Sequence, residues 1–162
     1  LETAHPGALA ALNKRITVDD FARAAARLAG HGVALRVFLL IHPPFLPDAD
    51  QHAWLLRSVA FAFACGASVV SLIPTRPGEG ALQAIAEVGA FSAPRLADVE
   101  RAAAAALAVA RGRLLVDLWD VEALSACAAC RAGRQARLHR LNLEQIAPPP
   151  VTCGACDEAG SA

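Results

Sequence analysis

The chain has 162 residues, 56% of them hydrophobic, and its 15 Lys+Arg balance 15 Asp+Glu; that is one domain's worth, long enough to bury roughly 70% of the unfolded surface. Zero net charge excludes a histone-like or polybasic nucleic-acid binder, whose affinity comes from clustered phosphate-neutralising cations. No run approaches the ~20 apolar residues of a membrane span, and Leu1 to Arg15 lacks the order of a signal peptide, so the expectation is a cytoplasmic protein without a membrane partner.

Leu1-Glu2-Thr3 reads as the end of a strand, followed by a turn at His5-Pro6 and a helix from Gly7 to Asn13. Thr17 and Asp20 have capping-box spacing, with Asp in place of Glu, and Phe21, Ala24, Ala25 and Leu28 follow at helical intervals, predicting a helix over 18–30. Val33 to Ile41 is almost continuously apolar and closed by His42-Pro43-Pro44, as in a strand covered on both faces. Asp48 or Asp50 caps a helix running to Cys65, Gly66 breaks it, and Ala67 to Ile73 is a second strand ended by Pro74. The loop from Pro74 to Gly80 leads to a short helix over 81–88, a longer one over 95–111, and a third strand from Leu114 to Leu118. Alternating helices and apolar strands predict an α/β fold with a parallel sheet. Beyond Trp119 the pattern changes to short helical pieces, so residues 120–162 read as a small Cys-rich extension on a 1–119 unit.

Cys127-x-x-Cys130 and Cys153-x-x-Cys156 are two knuckles separated by 22 residues. Each pair places two thiolates on one ion, and four soft sulfur ligands suit zinc in a closed structural site. An iron–sulfur cluster on the same four thiolates is the alternative metal centre, and two unrelated buried cysteine pairs are the alternative without metal. Cys65, beside Phe61 and Phe63, reads as a small core hydrophobe. Arg131, Arg134, Arg137 and Arg140 follow the first knuckle at intervals of three. On a helix they make either a basic ridge for a phosphate-bearing partner such as RNA or a solvated face whose charge suits the helix dipole.

At the amino-terminal edge, Glu2 falls at the carboxyl end of a strand, where parallel sheets bind ligands. Alone it reads as an exposed charge, and Lys14 and Arg15 as cations near a helix C-terminus. Taken together, Leu1-Glu2-Thr3, Leu12-Asn13-Lys14-Arg15, Thr17 to Asp20, and Gly32 to Leu40 with Pro43-Pro44-Phe45 resemble the later half of radical S-adenosylmethionine proteins. The nearest branch includes the Elongator catalytic subunit and the archaeosine-biosynthesis radical enzymes. Ser71 to Thr75, Phe91, Pro94 to Leu96, and Asp117 to Asp120 followed by the cysteine pairs continue the resemblance over nearly the whole chain.

The resemblance implies a partial (β/α) barrel of which residues 1–119 supply the fourth to sixth strands, the earlier half lying in a preceding part of the same protein. The missing methionine and the start at Leu1 fit that expectation. It implies that Glu2 touches the methionine or ribose part of S-adenosylmethionine, and that Lys14, or Arg15 in its place, holds the cofactor carboxylate. Arg36 to Leu40, with Ile73 and Pro74, would line the adenine side. The family's cluster motif C-x-x-x-C-x-x-C is absent from this chain, so the [4Fe-4S] ligands would lie outside it. The intact enzyme would use that cluster to cleave S-adenosylmethionine and abstract hydrogen from a substrate, which in the archaeosine-related branch is a modified base in tRNA. No residue here is assignable as hydrogen donor or catalytic acid. The reading from another class is a non-enzymatic zinc-knuckle module that binds protein or RNA, carried on an α/β domain.

Overall fold

The computed structural model describes residues 1–157 apart from 77, 79 and 80. Part of the Pro74–Gly80 loop and residues 158–162 of the predicted extension therefore lie outside the described residues. The chain is α/β. A three-stranded parallel sheet, in the order β1 (Leu35–Ile41), β2 (Ala67–Pro74), β3 (Arg113–Val116), carries α1 (Pro6–Ala11), α2 (Val18–Gly30), α3 (Asp48–Ala64), α4 (Ala81–Glu87), α5 (Leu96–Val109), α6 (Ala128–Glu144) and α7 (Gly154–Asp157).

Local chemistry sets most boundaries. The Thr17–Asp20 capping box forms in both directions and starts α2 at Val18. Gly66, at φ 89°, takes the left-handed turn after α3 that a side chain would resist. Gly112 enters β3 where a β-carbon would lie 2.8 Å from the Ser68 carbonyl oxygen, so only glycine allows this approach to β2. The third strand is shorter than Leu114 to Leu118. It ends at Val116 because the chain then turns into a 3-10 turn over Val121–Leu124, although the Asp117 N–H still bonds the Leu72 carbonyl at 2.8 Å. Leu1–Thr3 is not a ladder strand, but the Leu40 N–H donates to the Glu2 carbonyl at 2.8 Å, which lays this segment against the free edge of β1.

Strand alternation sorts the sheet into two unlike faces. Val37, Leu39 and Ile41 of β1 stand level with Val70, Leu72 and Pro74 of β2, and with Leu114 and Val116 of β3. All are buried, in one core with Leu55 and Val59 of α3 and Val99 and Ala103 of α5. The other face carries Arg36, Phe38, Leu40, Ser71 and Ile73. Arg36 is exposed, Phe38 is 49% exposed, and Leu40 and Ile73 are half-buried. The expectation of strands covered on both faces is therefore corrected: the apolar run of β1 includes Phe38 on the more open face.

The extension is also more ordered than a set of short pieces. Residues 128–144 form one 17-residue helix whose Leu138 and Leu141 join the core, so packing continues across the 119/120 boundary. This helix closes the outer edge of β3. The Asn142 Oδ1 accepts from the Val116 N–H at 2.7 Å while its Nδ2 donates to the Val116 carbonyl at 2.8 Å, and Gln145 treats Leu114 the same way at 2.9 and 2.8 Å. Two side-chain amides thus satisfy the backbone groups that a fourth strand would have paired. Asn142→Ala leaves both polar groups of buried Val116 without these partners and is expected to cost about 1–3 kcal/mol, read as a lower denaturant midpoint at unchanged m-value.

Candidate metal centre

The four predicted cysteines come together. Cys127 is the N-cap residue of α6 and Cys130 lies in its first turn, while Cys153 immediately precedes the short α7 and Cys156 lies within it. Their Sγ atoms all lie within 4.8 Å of one another, with Cys127 to Cys153 at 3.8 Å and Cys130 to Cys156 at 3.5 Å. All four are free thiols, and none is in a disulfide. Four cysteines so placed can hold a metal ion, and no pair stands alone. Cys65 is apart from them, half-buried against the core, and burial raises its pKa.

The electrostatics of the cluster are uneven. The Cys130 backbone N–H, with sulfur hydrogen bonds from Cys156 and Cys130, draws the Cys127 thiol down to about 6. Cys156, which shares those hydrogen bonds with Cys127 and Cys130 on the protonated side, is pushed up to about 12. A thiolate on Cys127, at the N-terminus of α6, is thus favoured, while Cys156 holds its proton more tightly.

Both readings of the arginine row, basic ridge and solvated face, are corrected by the same geometry. Cys130, Arg134, Arg137, Leu138 and Leu141 form the buried stripe of α6, so two of the four arginines face inward. Arg134 and Arg137 are each 8% exposed, and both bond the carboxylate of Glu100 on α5, itself 2% exposed. Arg134 uses Nη1 on Glu100 and directs Nε to the Cys130 sulfur at 3.2 Å. Arg137 reaches Glu100 at 3.2 Å, and its Nε donates to the carbonyls of Pro148 and Pro149, each at 2.9 Å. Arg131 donates to the Ser125 carbonyl, and Arg140 pairs with Glu144. The spacing of three suggested a solvent-facing row, but the helix turns every 3.6 residues and the intervening core contacts decide which arginines face out. Burial alone would lower the Arg134 pKa; the hydrogen bonds it donates to Cys130 and Glu100 outweigh that and raise it.

The residues expected at a cofactor site are dispersed. Glu2 and Lys14 meet each other at 3.0 Å in a half-exposed ion pair, and Arg15 is exposed nearby in a left-handed turn. Arg36 lies near the amino end of β1, with Nε on the Ser71 hydroxyl at 2.9 Å and its guanidinium 5.0 Å from the Phe38 ring. Ile73 shares the open face with Arg36 but is nearer the carboxyl end, whereas Pro74 points into the covered face beside Ile41. None of these six lines the cavity of about 520 Å³ between α3 and α5, which Gln51, His52, Arg95 and Asp98 border.

At the carboxyl ends of β2 and β3, the sequence reading missed a second constellation. Arg76 pairs with Asp117 at 3.1 Å, and its guanidinium lies 5.2 Å from the ring centroid of Trp119, a side chain 73% exposed. The Arg76 Nε and the neighbouring Thr75 Oγ1 and His42 Nδ1 are buried without a hydrogen-bond partner among the described residues. The signal available for these residues was positional, since polar side chains at carboxyl strand ends face the ligand side of parallel sheets.

No protein-family model, curated protein or solved structure matches the chain. No described helix is long and apolar enough to cross a membrane. Glu100 is the shared partner of two buried guanidinium groups, so Glu100→Ala is expected to lower unfolding stability by about 3–5 kcal/mol, measured by chemical denaturation; a loss below about 1 kcal/mol would show that the arginines find other partners.

Proposed function

We propose that the four cysteines hold a structural zinc ion and that the chain is the later part of a radical S-adenosylmethionine enzyme. The observation that carries the zinc reading is the sulfur geometry. Thiolates about 2.3 Å from one tetrahedral ion lie about 3.8 Å apart, and the cross-knuckle separations here are 3.8 and 3.5 Å. In a four-iron cluster each thiolate binds a different iron at an outer corner, which needs the sulfurs spread more widely. All four metal positions are taken by protein ligands, the mark of a site that ties chain segments together rather than one that activates water.

The enzyme reading is supported by the one-sided layering of the sheet. The β1–β2 crossover through α3 and the β2–β3 crossover through α5 bury the same sheet face, as successive βα units of a barrel do. A doubly wound sheet puts helices on both faces. Phe38, Leu40 and Ile73 then belong to the barrel interior, and the Leu1–Thr3 segment against β1 marks where the preceding strand would enter. S-adenosylmethionine with a [4Fe-4S] cluster would supply hydrogen abstraction, its cluster ligands lying in a preceding part of the protein. In this chain Glu2 and Lys14, at the carboxyl end of β1, would exchange their mutual ion pair for contacts to the cofactor's polar groups. Arg36 and Ile73 would face the interior. A modified tRNA base remains the substrate class implied by the branch. The basic ridge no longer argues for it, because Arg134 and Arg137 are spent on Glu100.

Two experiments test the proposal separately. The purified chain is expected to carry one equivalent of zinc by elemental analysis, lost in the Cys127→Ser/Cys153→Ser double variant; iron in place of zinc, or no stoichiometric metal, refutes the structural zinc site. The full-length protein, reconstituted with iron and sulfide under anaerobic conditions, is expected to produce 5′-deoxyadenosine from S-adenosylmethionine, with cofactor affinity reduced at least tenfold by Glu2→Ala. An upstream coding region without C-x-x-x-C-x-x-C, or no cofactor cleavage by the reconstituted protein, overturns the enzyme reading.

A further inference from the structure

We infer that Glu100, Arg134 and Arg137 are the positioning residues of the metal centre: one buried carboxylate on α5 sets both cysteine knuckles, and Arg134 tunes the metal through the sulfur of Cys130. The inference rests on the zinc reading above and extends it to residues that do not touch the ion.

The two knuckles come from distant parts of the chain and have only short local structure of their own. Cys127 and Cys130 are fixed by the start of α6, but Cys153 and Cys156 follow a proline segment with no regular hydrogen bonding, and only Cys156 lies on the four-residue α7. The second knuckle therefore needs an external anchor. Arg137 supplies it by holding the Pro148 and Pro149 carbonyls, each at 2.9 Å, five and four residues before Cys153. Arg134, one turn earlier on the same helix face, holds the first knuckle by its Nε–Sγ contact of 3.2 Å to Cys130. Both guanidinium groups are themselves oriented by Glu100. Prolines 148 to 150 cannot donate backbone hydrogen bonds, so their carbonyls are the handles left for a side-chain anchor.

Charge gives the arrangement a second role. A zinc ion with four thiolates carries a net charge of −2, costly in a part-buried site. Arg134, Arg137 and Glu100 together contribute +1, and the N-terminus of α6 adds its partial positive charge. The Arg134 hydrogen bond withdraws electron density from the Cys130 sulfur, as outer ligand contacts do at other metal sites. Arg134 and Arg137 thus differ in a measurable way: Arg134 acts on affinity and on the electronic state of a ligand, Arg137 on affinity alone, through the strap.

The test uses the purified chain with zinc affinity measured by chelator competition and the metal environment read from the thiolate-to-metal charge-transfer band of the Co²⁺-substituted protein. Arg134→Met, which keeps an unbranched apolar stem and removes the guanidinium donor, is expected to weaken zinc binding ~10–100-fold and to move the band to lower energy. Arg134→Lys recovers part of the affinity. Arg137→Met weakens binding with the band in place, and Glu100→Gln, which loosens both arginines, weakens it as well. Wild-type affinity and an unshifted band in Arg134→Met overturn the inference and leave the zinc site standing, whereas failure of the wild-type chain to bind zinc overturns both. If Arg134→Met does not fold, wild-type affinity in both Arg134→Lys and Glu100→Gln counts against the inference in the same way.

Discussion

The carboxylate of Glu100 is the constraint on which the carboxyl-terminal third of the structure depends. It is 2% exposed on a helix otherwise made of alanine, leucine and valine at its buried positions. An unpaired carboxylate there would have to take up a proton or draw in water. Two guanidinium forks from α6 satisfy it, and their remaining donors are used on a cysteine sulfur and on the proline strap. The packing of α6 on α5, the path of residues 148–150 and the approach of the two knuckles are consequences of the same electrostatic requirement. Buried ion pairs of this kind contribute little net stability compared with an apolar replacement. What they supply is direction, since a guanidinium fork accepts partners only in its plane.

The same helix solves a second problem of the fold. A parallel sheet that stops at three strands leaves an edge of unpaired amides, a liability for edge-to-edge association. Asn142 and Gln145 lie three residues apart, so both reach the β3 edge from one side of the last helical turns and bond alternate residues, Val116 and Leu114. On the other side of the sheet, the β1 edge is met by the backbone of Glu2. The sheet is thus closed by side chains at β3 and open to further backbone pairing beyond β1. That asymmetry matches the direction in which the proposed barrel would continue.

Much of the architecture was legible in the residues. The capping box at Thr17 and Asp20, the proline stops at Pro43 and Pro74, and the apolar runs of β1 and β2 have causes within a few residues of the boundary, and each boundary fell within one or two residues of its expected place. The Cys-x-x-Cys pairs were equally readable, because two thiolates three positions apart converge whatever the surrounding fold. The arginines of α6 were not. Arg134 and Arg137 occupy core positions in the helical pattern, and an apolar periodicity argument scores an arginine there as solvent-facing unless its partner is known. That partner, Glu100, is more than thirty residues away and sits in a run that reads as alanine-rich helix. The meeting of Arg76 with Asp117 and Trp119 was not foreseen for a related reason, since Arg76 follows β2 while Asp117 and Trp119 follow β3, and only the pairing of those strands brings them together.

The sequence by itself determined most element types as far as Trp119, the parallel α/β class and the four cysteines as candidate ligands, since local backbone preference and the short reach of a Cys-x-x-Cys turn decide these. Only the tertiary structure decided which face of the sheet is covered, that the basic row of α6 is split between core and solvent, and that the two knuckles meet at metal-binding distance. Those outcomes depend on contacts between residues far apart in the chain, such as the Cys127–Cys153 approach, 26 positions apart, and the Glu100–Arg137 pair, 37 apart. The energy of such contacts comes from desolvation and mutual geometry, which a residue acquires only once its neighbours are in place.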